Sequence, residues 1–199
     1  HLPVPVGFDW LQTAAWGFCV FQSDSPAVRL FVLDFWGKGA IAVGERIAVG
    51  DKLPFFVYDT PYSAQNRFRD LLQRKSPLVL VFMANFGHPI TRTFASRYAN
   101  TYGSLRDGGF ALVVRSRADK LSRSIGPNTL PYPLLCDAEG VLYEHLDIPQ
   151  SSSALMTYSL EGWRILREAK RQGYQAAKGQ MQQLPLTLIL DKDGTVLFC

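Results

Sequence analysis

The chain predicts an α/β fold, with helices on both faces of a mixed central sheet, and three observations carry that reading. Two continuous apolar runs, Leu78–Met83 and Phe110–Val114, have the pattern of strands buried on both faces, as parallel strands between helix layers require. Between them Phe94, Tyr98, Tyr102 and Leu105 recur at helical spacing, with Ala95 and Ala99 alongside. A third apolar run, Leu186–Leu190, is followed by Asp191-Lys192-Asp193-Gly194, a tight turn, and Thr195–Phe198 returns as the second strand of a hairpin. The resulting order is β-α-β-α-β, a long helix, then a β-hairpin, which makes an α/β sandwich.

Taken in order, residues 1–44 differ in style and form an extension ahead of a domain spanning 45–199. Within it Ala27–Trp36 has strand character, Gly37-Lys38-Gly39 supplies a turn, and Ala40–Val43 returns as a hairpin strand. Phe55–Tyr58 reads as a short strand and Arg67–Leu72 as a short helix. Ala84-Asn85-Phe86-Gly87 is a short loop that delivers His88-Pro89 to the start of the next helix. Proline suits a first helical position because its missing N–H would be unpaired there. Gly108-Gly109 ends that helix. Asp119–Ser124 is a short helix, Tyr132–Cys136 leads into a third strand, and Val141–His145 reads as strand or helix. Ser151, Ser152 and Ser153 offer N-caps for a helix over Ala154–Gln172, in which Leu155, Trp163 and Leu166 are available for burial. A sandwich of this kind takes one more helix over the sheet, so either the chain is truncated at Cys199 or that long helix does the work.

Composition bounds the function. At 199 residues, 47% hydrophobic and 19% charged, the chain is long enough for one domain with a full core plus an extension. The net charge of +4 comes from scattered residues (Arg67, Arg69, Arg74, Lys75, Arg115, Arg117, Lys120, Arg123) rather than a basic run, so no nucleic-acid partner is expected. Residues 1–22 are rich in Trp and Phe, but Asp9 and Gln12 interrupt them and no basic segment precedes them, so neither a signal peptide nor a membrane span is read. Starting at His1 rather than methionine fits a processed chain. Cys19, Cys136 and Cys199 are sparse, odd in number and never at CxxC spacing. That argues against a disulfide scaffold or zinc knuckle and for a reducing, cytoplasmic setting. No cofactor is implied.

Four segments, in order, carry a family resemblance. They are Val49-Gly50-Asp51-Lys52-Leu53-Pro54-Phe55-Phe56; the run from Val81 to Arg92 through Gly87-His88-Pro89; Pro133-Leu134-Leu135-Cys136-Asp137 with Leu142-Tyr143; and Leu184-Pro185-Leu186-Thr187 on through Asp191-Lys192-Asp193-Gly194. Together they resemble a peroxiredoxin-like redoxin of the alkyl hydroperoxide reductase/thiol-specific antioxidant family, within the thioredoxin superfamily. The resemblance implies a thioredoxin-like α/β/α sandwich and the reduction of a small peroxide or disulfide by a thiol reductant. It sets the catalytic positions at His88, Thr91 and Arg92. The substrate groove falls to Phe86, Gly87 and Pro89 of the loop and to Leu184 and Pro185, with the Leu184–Pro185 bond cis and facing the site.

One departure governs the functional reading. The family has its nucleophilic cysteine where His88 stands, and a second cysteine would match Thr91. A helix N-terminus activates a thiolate by favouring negative charge, but imidazole forms neither a sulfenic acid nor a mixed disulfide. The same macrodipole disfavours imidazolium, so a neutral ring is expected, able to bind metal, act as a base or fill a vestigial pocket. His1 and His145 are not at ligand spacing from it, and no metal is assigned. Arg92, one turn on, either stabilises an anion or is a solvated helix arginine. Pro185 is either the cis proline or a trans edge-strand proline. Three functions stay open: a redoxin with a degenerate site, a non-catalytic binding module taking a peptide or protein partner at the Pro185 groove, and a thiol oxidoreductase using Cys136 or Cys199.

Overall fold

The sequence patterns above become a seven-stranded mixed sheet between two helix layers in the computed structural model. It describes residues 47–102, 105, 108–151, 158–176 and 182–199, together with the backbone of three short N-terminal strands. Those strands, β1 (Phe8–Asp9), β2 (Val20–Ser23) and β3 (Arg29–Phe31), form an antiparallel sheet of their own in the order β1-β2-β3. The expected strand at 27–36 is therefore realised over Arg29–Phe31, paired with β2; its expected partner at 40–43 lies outside the described residues.

The main domain continues with β4 (Val57–Thr60), β5 (Ser63–Arg67), α1 (Phe68–Arg74), β6 (Leu78–Met83), α2 (Pro89–Tyr102), β7 (Gly109–Val114), α3 (Ala118–Ser124), β8 (Leu134–Cys136) and α4 (Val141–His145). After these come β9 (Gln150–Ser151), α5 (Leu160–Arg171), β10 (Gln182–Gln183), β11 (Leu186–Leu190) and β12 (Val196–Phe198). The sheet order is β12-β11-β6-β7-β8-β4-β5, with β6, β7 and β8 parallel and the remaining pairings antiparallel. The three apolar runs are thus adjacent central strands, β11-β6-β7. Every residue of β6 and β7 is buried.

Alternation divides the strand side chains between two cores. Leu78, Leu80, Phe82, Ala111 and Val113 meet Phe68 and Leu72 of α1 and Tyr143 of α4. Val79, Val81, Phe110, Leu112 and Val114 meet Ile90 and Phe94 of α2, Leu121 of α3 and Leu166 of α5. At about 1.5–3 kcal/mol for each fully buried aliphatic or phenyl side chain, these two faces dominate stability. Surface ion pairs such as Arg117–Asp119, both largely exposed, add little.

Several elements differ from expectation for identifiable reasons. The strand expected at Phe55–Tyr58 begins at Val57, opposite Arg67, where β5 ends and α1 takes over; the first helical N–H, of Phe68, still donates to Phe56 O at 3.0 Å. The hairpin partner β5, SAQNR, has no strand-like pattern and is held by side chains instead: Gln65 N–H donates to Asp59 Oδ1 at 2.8 Å and Asn66 Nδ2 to Ser63 O at 2.9 Å. The segment 141–145 is a helix because the Asp137 carboxylate accepts from the N–H groups of Gly140, Val141 and Leu142 at 3.1, 3.0 and 2.8 Å. The long helix starts at Leu160 rather than Ala154, and its N-cap is Ser159, whose Oγ accepts from Gly162 N–H at 3.2 Å. Ser151 lies in β9, and Ser152 and Ser153 lie outside the described residues.

Gly109, expected to close α2, opens β7 instead. Its N–H bonds Pro77 O at 2.9 Å, and a Cβ there would stand 2.4 Å from Lys75 Cβ, so the close return of the chain needs glycine. Among the described residues the cis peptide bond is Ser76–Pro77, and the Leu184–Pro185 bond is trans. A trans bond keeps the chain extended from β10 into β11, with Leu184 N–H donating to Pro149 O at 3.2 Å. Among the described residues no helix is long and apolar enough to cross a membrane.

One side chain joins the carboxyl ends of the parallel strands. The Tyr143 hydroxyl lies 2.5 Å from Met83 O and 3.0 Å from Val113 O, and offers its single proton to these two carbonyls. Tyr143→Phe removes that donor and leaves both buried acceptors short of a partner. Equilibrium denaturant unfolding should show a loss of about 1–3 kcal/mol with an unchanged m-value.

Candidate functional site

The site forms where parallel β6 and β7 end side by side and their loops diverge, the position where open α/β sheets present ligands. Met83 pairs with Val114 at that edge. The loop after β6 is pinned to the loop after β7 by Phe86 N–H donating to Ser116 Oγ at 2.8 Å. A turn closed by His88 N–H on Asn85 O at 3.1 Å then brings His88 to the N-cap of α2, and its carbonyl accepts from Arg92 N–H at 3.1 Å. Pro89 follows as the first residue of the helix.

The His88 ring is half-buried and roofed by the segment between α4 and β11. Its Nε2 lies 3.2 Å from the Tyr158 hydroxyl, and that hydroxyl donates to Gln182 Oε1. The phenol thus links the imidazole to the Gln182 amide, and Nε2 donates to or accepts from the hydroxyl according to the tautomer of the neutral ring. Tyr174 stands edge-on to the imidazole, with ring centres 6.1 Å apart. Burial lowers the His88 pKa below the ordinary imidazole value, and the helix N-terminus acts in the same direction. Burial, aided by Tyr174, pushes the Tyr158 phenol far above its usual range, so it serves as a neutral hydroxyl.

Two adjoining cavities border His88. The larger, about 180 Å³, is lined by polar side chains: Asn85, His88, Arg115, Gln150, Gln182 and Gln183, beside Ala84 and Ala138. A narrower niche of about 20 Å³ shares His88 and both glutamines and adds Thr91, Tyr158 and Pro185. His88, Thr91 and Pro185 are thereby brought together. Arg92 is exposed on the outer face of α2, and neither it nor Phe86, Gly87, Pro89 or Leu184 lines either cavity.

Sequence reasoning missed Arg115, Tyr158, Gln182 and Gln183. Arg115 carried a signal, since it directly follows a buried parallel strand next to the one that leads to His88. Its Nη1 donates to Gln183 Oε1 at 3.0 Å, and its guanidinium stands over the Tyr143 ring at 5.5 Å. A Cβ at Gly140 would come within 2.4 Å of Arg115 Nη2, so glycine leaves the room in which the guanidinium lies.

Neither described cysteine reaches this arrangement. Cys136 pairs with Val114 at the same edge of the sheet, but burial and then the Asp59 carboxylate push its thiol up to about 12. Cys199 follows edge strand β12, whose Phe198 lies opposite Ile189 and so near the Val79 end of β6, away from His88. Among the described residues no three His, Cys, Asp or Glu side chains group as metal ligands would.

The depressed His88 pKa has a signed consequence. Unfolded, the imidazole titrates near about 6.5; folded, it titrates lower. Between those values the unfolded chain binds the extra proton, so stability is complete above about pH 6.5 and is lost as pH falls through the folded value. His88→Gln keeps a donor for Tyr158 and removes the titration. In thermal unfolding, the variant should lose less Tm than the parent between about pH 7.5 and about pH 5.

No curated protein sequence matches the chain. Among solved structures, a Cys-to-Ser mutant of PrxQ from Xylella fastidiosa is 12% identical and superposes with a TM-score of 0.53, over 78% of this chain and 86% of that one. The thiol peroxidase of Chromobacterium violaceum is 13% identical, with a TM-score of 0.48 over 82% of this chain and 84% of its own. Peroxidoxin BcpB of Mycobacterium tuberculosis is 17% identical, with a TM-score of 0.44 over 75% and 82%. The first of these shares the thioredoxin-like fold. The model of the AhpC/TSA family matches residues 49–198, from the strand-poor lead-in through β12. That match covers every element that builds the His88 site, and the chain belongs to the AhpC/TSA family of peroxiredoxin-like proteins.

Proposed function

We propose that this protein is a peroxiredoxin-like family member that keeps the pocket of a thiol peroxidase without its thiol chemistry. The observation that carries the reading is His88, a neutral imidazole at the head of α2 and hydrogen-bonded to Tyr158. In thiol peroxidation a thiolate attacks one peroxide oxygen, the O–O bond breaks, the other oxygen departs as alcohol or water, and the sulfur is left as a sulfenic acid that a thiol reductant restores. Imidazole nitrogen supplies no such cycle. A small peroxide and a thiol reductant, of the glutathione or thioredoxin kind named for a yeast mitochondrial 1-Cys peroxiredoxin, would be the reactants only if a cysteine took over. Cys136 is poorly suited, because a thiol titrating at about 12 is ionised to only roughly one part in 10⁵ at neutral pH.

What remains is binding. The groove beside Pro185 is occupied by the chain itself: Leu184 N–H bonds Pro149 O, and β10 pairs with β9. Backbone groups that would receive an extended peptide are already spent. This favours a small molecule in the polar cavity over a peptide partner.

Peroxide consumption with dithiol or glutathione-type reductants should not exceed the protein-free rate. His88→Cys should carry a thiol whose pKa, read from the pH dependence of alkylation, lies below the free-cysteine value of about 8.5, because the N–H groups of α2 face that position. Sustained peroxide turnover by the unaltered chain, or a variant thiol at or above about 8.5, overturns the reading.

A further inference from the structure

Among the described residues, three features of the pocket have no use in anything above: a cation without a counter-ion, a buried hydroxyl without a partner, and a helix with no acidic residue in its first turn. Arg115 bonds only a neutral amide and an aromatic face, and among the described residues no carboxylate pairs with it. Among the described residues no Asp or Glu lines either cavity. A half-buried guanidinium in this state retains donors suited to a planar, bidentate acceptor.

Thr91 is the second feature. It is 1% exposed, and its Oγ1 has no hydrogen-bond partner, although it lines the niche beneath His88. Its neighbours on α2 behave differently: Thr93, Ser96 and Thr101 each return their hydroxyl to the carbonyl four residues back, at 2.9, 3.1 and 3.0 Å. A buried, unsatisfied hydroxyl is unfavourable, and a ligand or a water held by a ligand supplies the missing partner. The niche, at about 20 Å³, has room for one water.

We propose that the cavity over the first turn of α2 binds a short-chain monocarboxylate, with the carboxylate on Arg115 and with Thr91 donating through the niche. This rests on the reading that the pocket is not used for thiol chemistry. One guanidinium and a helix N-terminus balance one negative charge; a phosphate dianion would need a second cation, and among the described residues no lysine lines the cavity. Asn85, Gln150 and Gln182 offer neutral amides to the remaining lone pairs, and Ala84 and Ala138 give a short tail an apolar wall.

The test uses the full chain near neutral pH, with calorimetry and ligand-observed NMR against acetate, propionate and lactate, their matched amides, and inorganic phosphate. At least one carboxylate should bind one per chain and raise Tm, while its amide and phosphate do not. Arg115→Gln should weaken binding at least about tenfold. Thr91→Val replaces an unpartnered hydroxyl with an isosteric methyl, so the fold should be as stable or more so, while binding weakens about fivefold or more. Should Arg115→Gln fail to fold, Thr91→Val decides. Equal binding of carboxylate and amide, preference for phosphate, unchanged affinity in Thr91→Val, or no binding at all overturns the inference. Absent binding together with absent peroxide turnover overturns this inference alone, whereas peroxide turnover in the same samples overturns the reading beneath it.

Discussion

Everything at the site depends on the parallel pairing of β6 with β7 and on how that pair ends. Six consecutive registers, from Leu78 opposite Gly109 to Met83 opposite Val114, bring two chain directions to one edge together. Beyond that edge the ladder stops, and carbonyls at Met83 and Val113 would face an apolar core. Tyr143 reaches them from α4, and the helix that presents it is itself fixed by the Asp137 carboxylate. Because the phenol ring lies flat under Arg115 as well, one side chain both closes the strand ends and supports the cation above them. His88 and Arg115 emerge a few residues past this point on two different loops, and Ser116 ties those loops together.

The segment from β9 through α5 to β10 completes the pocket from the other side. α5 leans on α2 through the Arg97–Glu161 ion pair at 2.7 Å and through Gly162, where a Cβ would lie 3.4 Å from Ile90. The ion pair is about 40% exposed on each side and contributes little energy, so the close approach at Gly162 and the burial of Leu166 do most to seat the helix. Seating α5 sets Tyr158, just before its N-cap, over His88. Burial and macrodipole then act on the ring in one direction, toward neutrality, and the Tyr158 hydroxyl holds its Nε2 in place.

How much of this was legible in the sequence follows from which forces write themselves locally. β6, β7 and β11 were legible because a strand buried on both faces must be apolar throughout, and their adjacency followed from the same requirement. β5 was not, since an edge strand held by Asp59 and Asn66 side chains needs no hydrophobic pattern. The start of α5 was misplaced because three serines at 151–153 and the single Ser159 are equivalent as caps until tertiary packing chooses between them. Pro185 lines the niche with His88, but the expected cis bond before it is trans, the intrinsically preferred state, in a chain extended from β10 into β11. In the site, His88 and Thr91 are three residues apart on one helix turn and could be read together. Tyr158 and Gln182 are about 70 and 94 residues beyond His88 and meet it only through the tertiary fold, which no local pattern announces.

The pocket's shape does not depend on which side chain stands at position 88. A thiolate at the head of a helix draws stability from the helix N-terminus, but that interaction belongs to the thiolate and not to the walls of the cavity. What holds the pocket open lies elsewhere: Tyr143 on the strand ends, Gly140 clearing space for Arg115, Asp137 capping α4, and α5 packed on α2. None of these touches the residue at position 88 directly. A change at position 88 alone would therefore leave the cavity, the Arg115 guanidinium and the buried Thr91 hydroxyl in place. A guanidinium and a helix N-terminus both favour negative charge, so the electrostatics of the pocket suit a small monoanion.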